Sequence, residues 1–213
     1  MTAHAQLKPA IIGIRGFFQS GKDTVAEILE ELFDIDDRYD VDIYSFANNL
    51  REAIALIFGF DIKYVFSESF KTDKHNVHVI GLPGTRMSGR ELLQYFGTQI
   101  CRNMDMDCWS RSCINRIDPG DEIVIIKDVR FFSEVQAIRG GGNPSFIIHV
   151  ERPGHVGDSH QSEQELADAE GIDDFVIQND GSLDDLTEKV RQVYLTIEER
   201  IRREADKSIG KPH

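Results

Sequence analysis

The chain has 213 residues, of which 40% are hydrophobic and 29% are charged, which fits one globular domain with a small insertion and excludes a fully disordered protein. Its formal net charge of −13 disfavours a surface that binds a nucleic-acid polymer or an anionic membrane. The charge is concentrated, because residues 158–185 contain ten acidic side chains and no Lys or Arg. The rest of the chain is close to neutral and can still hold an anionic substrate.

Hydropathy and cysteine content indicate the compartment. No apolar run approaches the roughly 20 residues that cross a bilayer, and residues 1–8 do not resemble a signal peptide. The cysteines Cys101, Cys108 and Cys113 are odd in number and lack CxxC spacing, which disfavours a disulfide framework or a zinc site. We therefore expect reduced thiols in a cytoplasmic protein.

Short apolar runs alternate with helical patterns along the chain, which predicts an α/β fold with a parallel sheet. The runs are continuously apolar, so we expect strands that are buried on both faces. The predicted strands are Ala10–Ile14, Asp42–Phe46, Glu122–Ile126, Phe146–Val150 and Phe175–Ile177.

Apolar side chains at helical spacing mark the segments between these strands. The predicted helices are Thr24–Phe33, Asn48–Phe58, Ser88–Arg102 and Asp184–Arg203. Ser88 is followed three residues later by Glu91, which predicts a capping box. The charged tail Glu204–His213 is expected to fray. Gly59–Met87 lacks strong periodicity and is predicted to be a mobile loop or a small inserted subdomain, which in compact domains is often functional.

The strongest chemical signal is an apolar strand that leads into Gly-x4-Gly-Lys at residues 16–22 and then into a helix, the context of a P-loop. Backbone N–H groups and the positive end of the following helix bind phosphates there, and Lys22 adds a charge for the β- and γ-phosphates. Asp23 stands where Ser or Thr is usual, and Thr24 follows. A carboxylate beside phosphates is repulsive without a cation, so Asp23 indicates Mg²⁺. The alternative is a glycine-rich turn with an incidental lysine.

A second signal follows the strand predicted at Glu122–Ile126. Asp128 lies near its end, as a Walker B acid does when it holds Mg²⁺ or its water ligands, and Arg130 and Glu134 come shortly afterwards. Many parallel strands end in an acid, so this feature is weak by itself. Ligands of open α/β sheets bind at the carboxyl edge of the strands, where we expect these side chains.

Several short segments occur in a specific order and spacing along most of the chain. They are Ser20–Ala26; Ser45–Ala47 with Leu50 and Phe58-Gly59; Arg90–Gln94 with Gly97-Thr98; Asp107–Trp109; Asp128–Phe131 with Glu134; Glu151–Gly154; and Asn179–Leu183. Together they resemble the phage-type deoxynucleoside monophosphate kinases, within the nucleoside monophosphate kinase-like P-loop fold. Gly-Lys-Asp-Thr at 21–24 is typical of that group, whereas Lys127 departs from its pattern.

The resemblance implies an architecture. It is an α/β fold whose five-stranded parallel sheet is flanked by helices, in a single P-loop kinase domain over residues 1–213. The expected core covers about 8–205, with a substrate-binding insertion at about 59–117 and a lid at about 151–170.

The resemblance also implies the ligands, which are Mg²⁺ with ATP at the P-loop and a deoxynucleoside monophosphate in a facing pocket. The implied ATP-binding residues are Gly16, Ser20, Gly21, Lys22, Asp23, Thr24, Arg152 and Asn179. The implied acceptor-binding residues are Arg90, Gln94, Gly97, Thr98, Trp109, Asp128, Arg130 and Glu134. The implied catalytic residues are Lys22, Arg90, Asp128 and Arg130. The implied metal ligands are Asp23, Thr24 and Asp128.

The chemistry of the acceptor-binding residues suits these roles. Arg90 and Arg130 can grip a phosphate through two N–H donors each, and Gln94 can read a base edge. Trp109 can stack on a base, although a single tryptophan is as easily a core residue. Without the resemblance, Arg90 and Gln94 read as ordinary surface residues of a helix.

The remaining implied residues have simpler roles. Gly97 permits close approach of a ligand, Thr98 offers a hydroxyl, and Glu134 accepts a hydrogen bond from a sugar or an amino group. Arg152, in the lid, stacks on adenine or reaches the phosphates. Asn179 lies in a turn that the family places near adenine. His155 and His160 in the lid are expected to be loop surface residues.

The implied activity is direct, in-line transfer of the γ-phosphoryl group of ATP to a deoxynucleoside 5′-monophosphate, which gives the diphosphate. Two alternatives remain: another small-molecule P-loop kinase such as a dephospho-coenzyme A kinase, or a non-catalytic ATP-binding regulator. No nucleic-acid polymer or membrane is expected as a partner. The family suggests a homodimer, and a phage-encoded chain would act in the host cytoplasm.

Overall fold

The computed structural model describes residues 8–35, 38–75, 77, 86–141, 144–154, 165–166 and 171–209. The chain divides into two compact units. The sheet unit consists of Met1–Ser45 and Ile114–His213, and the helical unit consists of Phe46–Cys113. None of the helices within the described ranges is long and apolar enough to cross a membrane.

The sheet unit contains a five-stranded sheet in the order β2-β3-β1-β4-β5, and every neighbouring pair is parallel. The strands are β1 Ala10–Arg15, β2 Val41–Tyr44, β3 Ile123–Val129, β4 Ser145–Glu151 and β5 Phe175–Gln178. The five predicted strands and the α/β fold class are therefore confirmed. All five predicted strands differ from the observed ones at one or both ends. Most ends differ by one residue, and the two larger differences are that β2 stops at Tyr44, with Phe46 beginning a helix, and that β3 continues three residues past Ile126 to Val129.

Helices link the strands and carry the rest of the chain. They are α1 Lys22–Asp34, α2 Phe46–Phe58, α3 Ile62–Val65, α4 Glu68–Thr72, α5 Gly89–Gln94, a π-helix Tyr95–Arg102, α6 Cys108–Ile114, α7 Phe132–Gly141 and α8 Leu183–Ile209. Neither α6 nor α7 was among the predicted helices.

Three expectations about helices need correction. The helix predicted over Ser88–Arg102 is α-helical only to Gln94 and then becomes a π-helix. The tail predicted to fray from Glu204 stays helical to Ile209, because it continues the long amphipathic α8, and residues 210–213 lie outside the described ranges. The weakly periodic stretch Gly59–Met87 contains α3 and α4, whose first turns are capped by the Asp61 and Ser67 side chains.

The main core lies on one face of the sheet, under α1 and α8. It combines alternate β1 side chains with the buried stripes of the two helices, and the Phe33 and Tyr194 rings meet edge to face at 4.8 Å. The opposite face is covered by α7, whose Ile138 leaves no room for a side chain at Gly13. Because both faces are covered, the three central strands β1, β3 and β4 are mostly buried, as predicted. The edge strands β2 and β5 each have exposed residues, so the expectation of burial on both faces is wrong for them.

The helical unit has a small core of its own. Buried residues of α2, α3, α4 and α5 form a cluster that includes Ile54, Val65, Phe70 and Leu92. His75 is 6% exposed, stacks on the Phe70 ring at 4.6 Å, and places its Nε2 3.1 Å from the Phe70 carbonyl oxygen. This unit therefore packs a histidine among aromatic rings.

A buried ion pair joins the last residue of β1 to the segment before β5. The Arg15 guanidinium donates from Nε and Nη2 to the two carboxylate oxygens of Asp173, both at 2.6 Å, and from Nη1 to the Leu166 carbonyl oxygen at 2.8 Å. The two side chains are 6% and 13% exposed. Such two-point contacts fix both distance and direction.

We expect Asp173→Asn to lower the free energy of unfolding by about 3 kcal/mol, because it leaves a buried guanidinium without its counter-ion. Asp180→Asn is the matched control, since Asp180 pairs with Lys189 at the surface and its loss costs about 0.5 kcal/mol or less. Denaturant unfolding of the two variants measures the difference. Equal effects would show that the Arg15 contact is not a stabilising buried pair.

Candidate functional site

The predicted phosphate loop, residues 16–22, leaves the carboxyl end of β1 in a conformation that depends on glycine. Gly16 has φ 148°, and a Cβ there would lie 2.3 Å from the Val150 carbonyl oxygen. Gly21 has φ 102°, and a Cβ there would lie 2.5 Å from Asn179 Nδ2. The loop therefore presses directly against the ends of β4 and β5.

Polar groups of the loop face inward. Lys22 Nζ donates to the Phe17 carbonyl oxygen at 2.6 Å, so the lysine folds back across the loop. Ser20 is 1% exposed, and its Oγ has no hydrogen-bond partner within the described part of the chain. Gly21 provides no side-chain cap, so the first N–H groups of α1 meet no side-chain acceptor from the N-cap residue. These donors suit an anion such as phosphate.

Two residues from neighbouring strands hold the loop from outside. Asn179, just after β5, donates from Nδ2 to the Ser20 carbonyl oxygen at 2.8 Å. Arg152, just after β4, is exposed and donates from Nη1 to the Gln19 carbonyl oxygen at 3.4 Å. Both residues were predicted to bind ATP, and both contact the loop itself. The predicted lid continues through 155–164 and 167–170, including His155 and His160, which lie outside the described residues.

The end of β3 is irregular where its acidic residue lies. Gly13 pairs with Ile126 and Arg15 pairs with Val129, so β3 has one extra residue there, which makes a bulge at Lys127-Asp128. Bulges often turn side chains toward active sites. Asp128 Oδ2 accepts a hydrogen bond from Ser45 Oγ at 2.6 Å, which fixes the carboxylate beside the end of β2.

Lys127, which departs from the family pattern, forms an ion pair with Asp23, which stands where P-loops usually have Ser or Thr. Its Nζ lies 2.9 Å from Asp23 Oδ1, and the two side chains are 37% and 73% exposed. Asp23 is the second residue of α1, so the ion pair spans from the bulge to the start of this helix. The sequence did not reveal this pair, because the two residues are far apart along the chain.

Glu134, which was predicted to contact the acceptor, also has a structural role. It is 3% exposed, and its Oε2 accepts hydrogen bonds from the backbone N–H groups of Arg130 at 2.7 Å and Phe131 at 3.0 Å. The carboxylate thus caps α7 and fixes the backbone that carries the half-buried Arg130. Its predicted contact with an acceptor stays a prediction.

The predicted metal ligands are Asp23, Thr24 and Asp128, which are all oxygen donors. Across the described ranges no three His, Cys, Asp or Glu side chains are grouped as a metal cage. Mg²⁺ is usually held by one or two carboxylates together with waters and substrate phosphates, and Asp23, Thr24 and Asp128 have the oxygen donors that this ion prefers. Their role as metal ligands stays a prediction.

The other predicted acceptor-binding residues lie in the helical unit. Arg90 is exposed and Gln94 half-buried on α5, and the π-helix carries Gly97 and Thr98. π-Helical turns are rare and frequently occur at functional sites. The Trp109 indole Nε1 donates to the Gly97 carbonyl oxygen at 3.1 Å, so this half-buried ring is fixed against the π-helix.

Gly97 is explained by packing within the helical unit. A Cβ at this position would lie 2.7 Å from Leu50 Cδ2, so the missing side chain lets α2 approach the π-helix. Sequence analysis assigned the glycine to close approach of a ligand, and that role stays a prediction.

Sequence reasoning missed a polar cluster beside the loop. Arg15, Asp173 and His149 lie together: His149 Nδ1 is 3.6 Å from Asp173 Oδ2 and 3.3 Å from Glu151 Oε1. Burial lowers the pKa of His149, which favours its neutral form despite the nearby carboxylates. The signal available in the sequence was an arginine at the end of an otherwise apolar strand, which requires a partner when buried.

A strand, a Gly-x4-Gly-Lys loop and a helix at the carboxyl edge of a parallel sheet define the class, a P-loop phosphate-binding protein. A family model described as deoxynucleotide monophosphate kinase matches residues 60–190. The chain is also 32% identical, over 149 residues, to the deoxynucleotide monophosphate kinase of Enterobacteria phage T4. The chain belongs to the deoxynucleotide monophosphate kinase family. The alignment covers 67% of this chain and 60% of the length of the phage T4 protein.

Solved kinase structures also align with most of the chain. A variant of the APS kinase CysC of Mycobacterium tuberculosis is 12% identical and covers 88% of this chain and 97% of its own, with a TM-score of 0.43. The dephospho-CoA kinase of Campylobacter jejuni is 15% identical and covers 89% and 97%, also with a TM-score of 0.43. These superpositions are too loose to carry an argument, and the fold rests on the strand order.

We expect Gly16→Ala to destabilise the protein by about 3 kcal/mol or more, because its Cβ would overlap the Val150 carbonyl oxygen in a backbone region that alanine avoids. Gly59→Ala is the matched control, since Gly59 also has a positive φ, 69°, but has nothing within 4 Å of its Cβ position. Its cost is about 1 kcal/mol. Denaturant unfolding compares the two, and similar costs would contradict the close contact.

The start of α5 has a pH-dependent cap. The Glu91 side chain accepts from the Ser88 N–H at 2.6 Å and pairs with Lys74 at 2.8 Å, while Glu91 N donates to Ser88 Oγ. The predicted capping box is therefore confirmed. The Lys74 contact, followed by the Ser88 hydrogen bonds, lowers the pKa of Glu91 to about 2.

We expect Glu91→Gln to cost about 1 kcal/mol at pH 7, a value limited by the exposure of the pair. The folded pKa is below the ordinary value of 4.5, so this stabilisation is complete above about pH 4.5 and disappears as the pH falls toward about 2. Unfolding free energies of wild type and variant across this range measure it. Glu199→Gln, which removes a surface pair with Arg203 and no cap, should show a smaller difference. A difference for Glu91→Gln that does not change with pH would contradict the argument.

Proposed function

We propose that this chain transfers the γ-phosphoryl group of ATP to the phosphate of a deoxynucleoside 5′-monophosphate and so makes the diphosphate. The observation that carries the proposal is the phosphate loop of residues 16–22, with inward-facing donors, in a chain of the deoxynucleotide monophosphate kinase family. Without the loop the family match would indicate a fold only, and without the family the loop would indicate phosphate binding only.

The donor phosphates are proposed to bind at the loop. Lys22 donates to a loop carbonyl, and we propose that it exchanges this contact for the β- and γ-phosphates when ATP binds. The buried Ser20 hydroxyl and the N-terminus of α1 supply further donors. Arg152 lies beside the same loop, and we propose that it adds positive charge next to ATP. Asn179 is proposed to help position the loop that binds ATP.

The residues proposed to bind the acceptor are described for each unit in turn. Arg130 follows β3, on backbone that buried Glu134 holds in place, which suits a side chain that must grip a phosphate accurately. In the helical unit, Arg90, Gln94 and Thr98 follow one another along α5 and the π-helix. We propose that Arg90 binds phosphate, that Gln94 and Thr98 offer hydrogen bonds, and that the ring of Trp109 stacks on the base.

Mg²⁺ is proposed to be held by Asp23, Thr24 and Asp128 together with the phosphates, and when bound it would neutralise negative charge on the transferred group. Lys22, Arg90 and Arg130 would share that task as fixed cations. An acceptor phosphate is already ionised at neutral pH, so no strong general base is required. The chain's contribution is therefore to align two nucleotides and balance their charge.

Three further expectations are carried as proposals. The acceptor-binding insertion at about 59–117 and the lid at about 151–170 are the parts proposed to differ from a minimal P-loop core. A homodimer follows from the family resemblance. Action in the host cytoplasm follows from the phage origin of the relative that matches.

The central test measures ADP release with Mg²⁺-ATP and a panel of deoxynucleoside monophosphates, ribonucleoside monophosphates and dephospho-coenzyme A. We expect turnover with at least one deoxynucleoside monophosphate and a drop in kcat/KM of about 100-fold or more in Lys22→Ala and in Arg130→Ala, since each removes a cation from the transferred charge. Lys207→Ala, at an exposed lysine near the end of α8, is the control for the loss of a positive charge.

The results separate the alternatives. Turnover only with dephospho-coenzyme A would replace the nucleotide acceptor by that substrate. ATP binding without turnover of any acceptor would favour a regulator. Full activity in both Lys22→Ala and Arg130→Ala would show that the assigned site is wrong.

A further inference from the structure

Lys127 and Asp23 are two unusual residues that contact each other. Asp23 occupies the loop position where Ser or Thr is usual, and Lys127 precedes the acidic residue of β3. Their side chains meet at 2.9 Å although they are 37% and 73% exposed. An ion pair this exposed contributes little to stability, so folding alone does not explain it. Its position at the start of α1, beside the phosphate loop, points to an electrostatic role.

A carboxylate at this position opposes nucleotide binding. The phosphate chain of ATP carries several negative charges, and Asp23 adds one more directly after Lys22. Lys22 donates to the Phe17 carbonyl oxygen. Lys127 reaches Asp23 from the bulge in β3 and forms an ion pair with it at the start of α1.

We infer that Lys127 is a positioning residue for the nucleotide phosphates in this chain: while no Mg²⁺ is bound at Asp23, the ion pair with Lys127 holds and neutralises that carboxylate, which favours the binding of ATP at the adjacent loop. This inference rests on the proposed function, because it requires a nucleotide at the loop. Lys127 acts through Asp23 and not on the phosphates themselves. The removal of Lys127 is therefore harmful only while Asp23 keeps its charge.

The test is a double-mutant cycle on ATP binding, measured by titration calorimetry in EDTA so that no divalent cation substitutes for Lys127. We expect Lys127→Ala to raise Kd about fivefold to tenfold, because an unpaired carboxylate then lies near the phosphates. Asp23→Asn combined with Lys127→Ala should return Kd to within about twofold of wild type. Lys127→Arg, which keeps the charge, should also stay within about twofold.

Controls separate this role from a structural one. Lys207→Ala removes one exposed positive charge near the end of α8 and should leave Kd unchanged. Thermal unfolding of Lys127→Ala should stay within about 2 °C of wild type, since the pair is exposed. A loss of ATP binding that follows a fall in melting temperature would overturn the inference in favour of a structural role.

The remaining outcomes are decisive. If Lys127→Ala binds ATP as wild type does, Lys127 has no such role. If the double variant stays as weak as Lys127→Ala, the lysine acts on the nucleotide directly, and the inference is wrong. Lys22→Ala distinguishes a failure of this inference from a failure of the proposed function. If Lys22→Ala also binds ATP as wild type does, the loop is not the nucleotide site and the proposed function is wrong as well.

Discussion

The carboxyl end of β1 is packed so closely that two positions there admit only glycine, and the structure of the sheet unit depends on this constraint. A Cβ on Gly13 would come within 2.6 Å of Ile138 and 2.9 Å of Ile147, and one on Gly16 would meet the Val150 carbonyl oxygen. The strand is flanked by β3 and β4, with helices on both faces. The position at which the phosphate loop begins is therefore set by core packing. The loop is irregular in conformation but fixed in place.

The parallel sheet brings the ends of several strands to the fixed loop, where the candidate phosphate site lies. Its five strands run in the same direction, so β3, β4 and β5 end beside the same loop. Each contributes one contact there: Lys127 to Asp23, Arg152 to Gln19, and Asn179 to Ser20. Residues separated by more than 100 positions in sequence thus reinforce a single turn of backbone. A buried ion pair, Arg15 with Asp173, ties in the segment that precedes β5.

The sequence was sufficient for the features whose signal is local. Continuous apolar runs predicted all five strands, and the glycines with Lys22 predicted the loop, because strand, turn and helix follow one another in the chain. The capping box at Ser88 was likewise visible from four residues. The helix α7 was missed, since its start depends on the buried Glu134, which looked like a ligand-binding acid. Periodicity also does not distinguish an α-helix from one that becomes π-helical after Gln94.

The residues of the candidate site were chosen from the sequence, but the contacts that they make within the protein were not predicted. Glu134, Gly97 and Asn179 were chosen for contacts with ligands, and each also has a partner within the protein. Those partners are Phe131, Leu50 and Ser20, and two of the three lie far away in sequence. A sequence motif shows which residue types occur together. It does not show which of those residues make hydrogen bonds or packing contacts within the folded protein.

In the described part of the chain, each unit has an irregular stretch of secondary structure next to residues that are proposed to bind a ligand. In the sheet unit it is the extra residue of β3 at Lys127-Asp128, and in the helical unit it is the π-helix that contains Gly97 and Thr98. An inserted residue changes the phase of everything beyond it: a strand exchanges its two faces, and a helix rotates by about 100° per residue. Removal of one residue from either segment would make the backbone more regular, while it turned the side chains that follow within that segment, such as Arg130 after the bulge, in a new direction. At these two places, a more regular strand or helix would therefore disturb the proposed arrangement of the ligand-binding side chains.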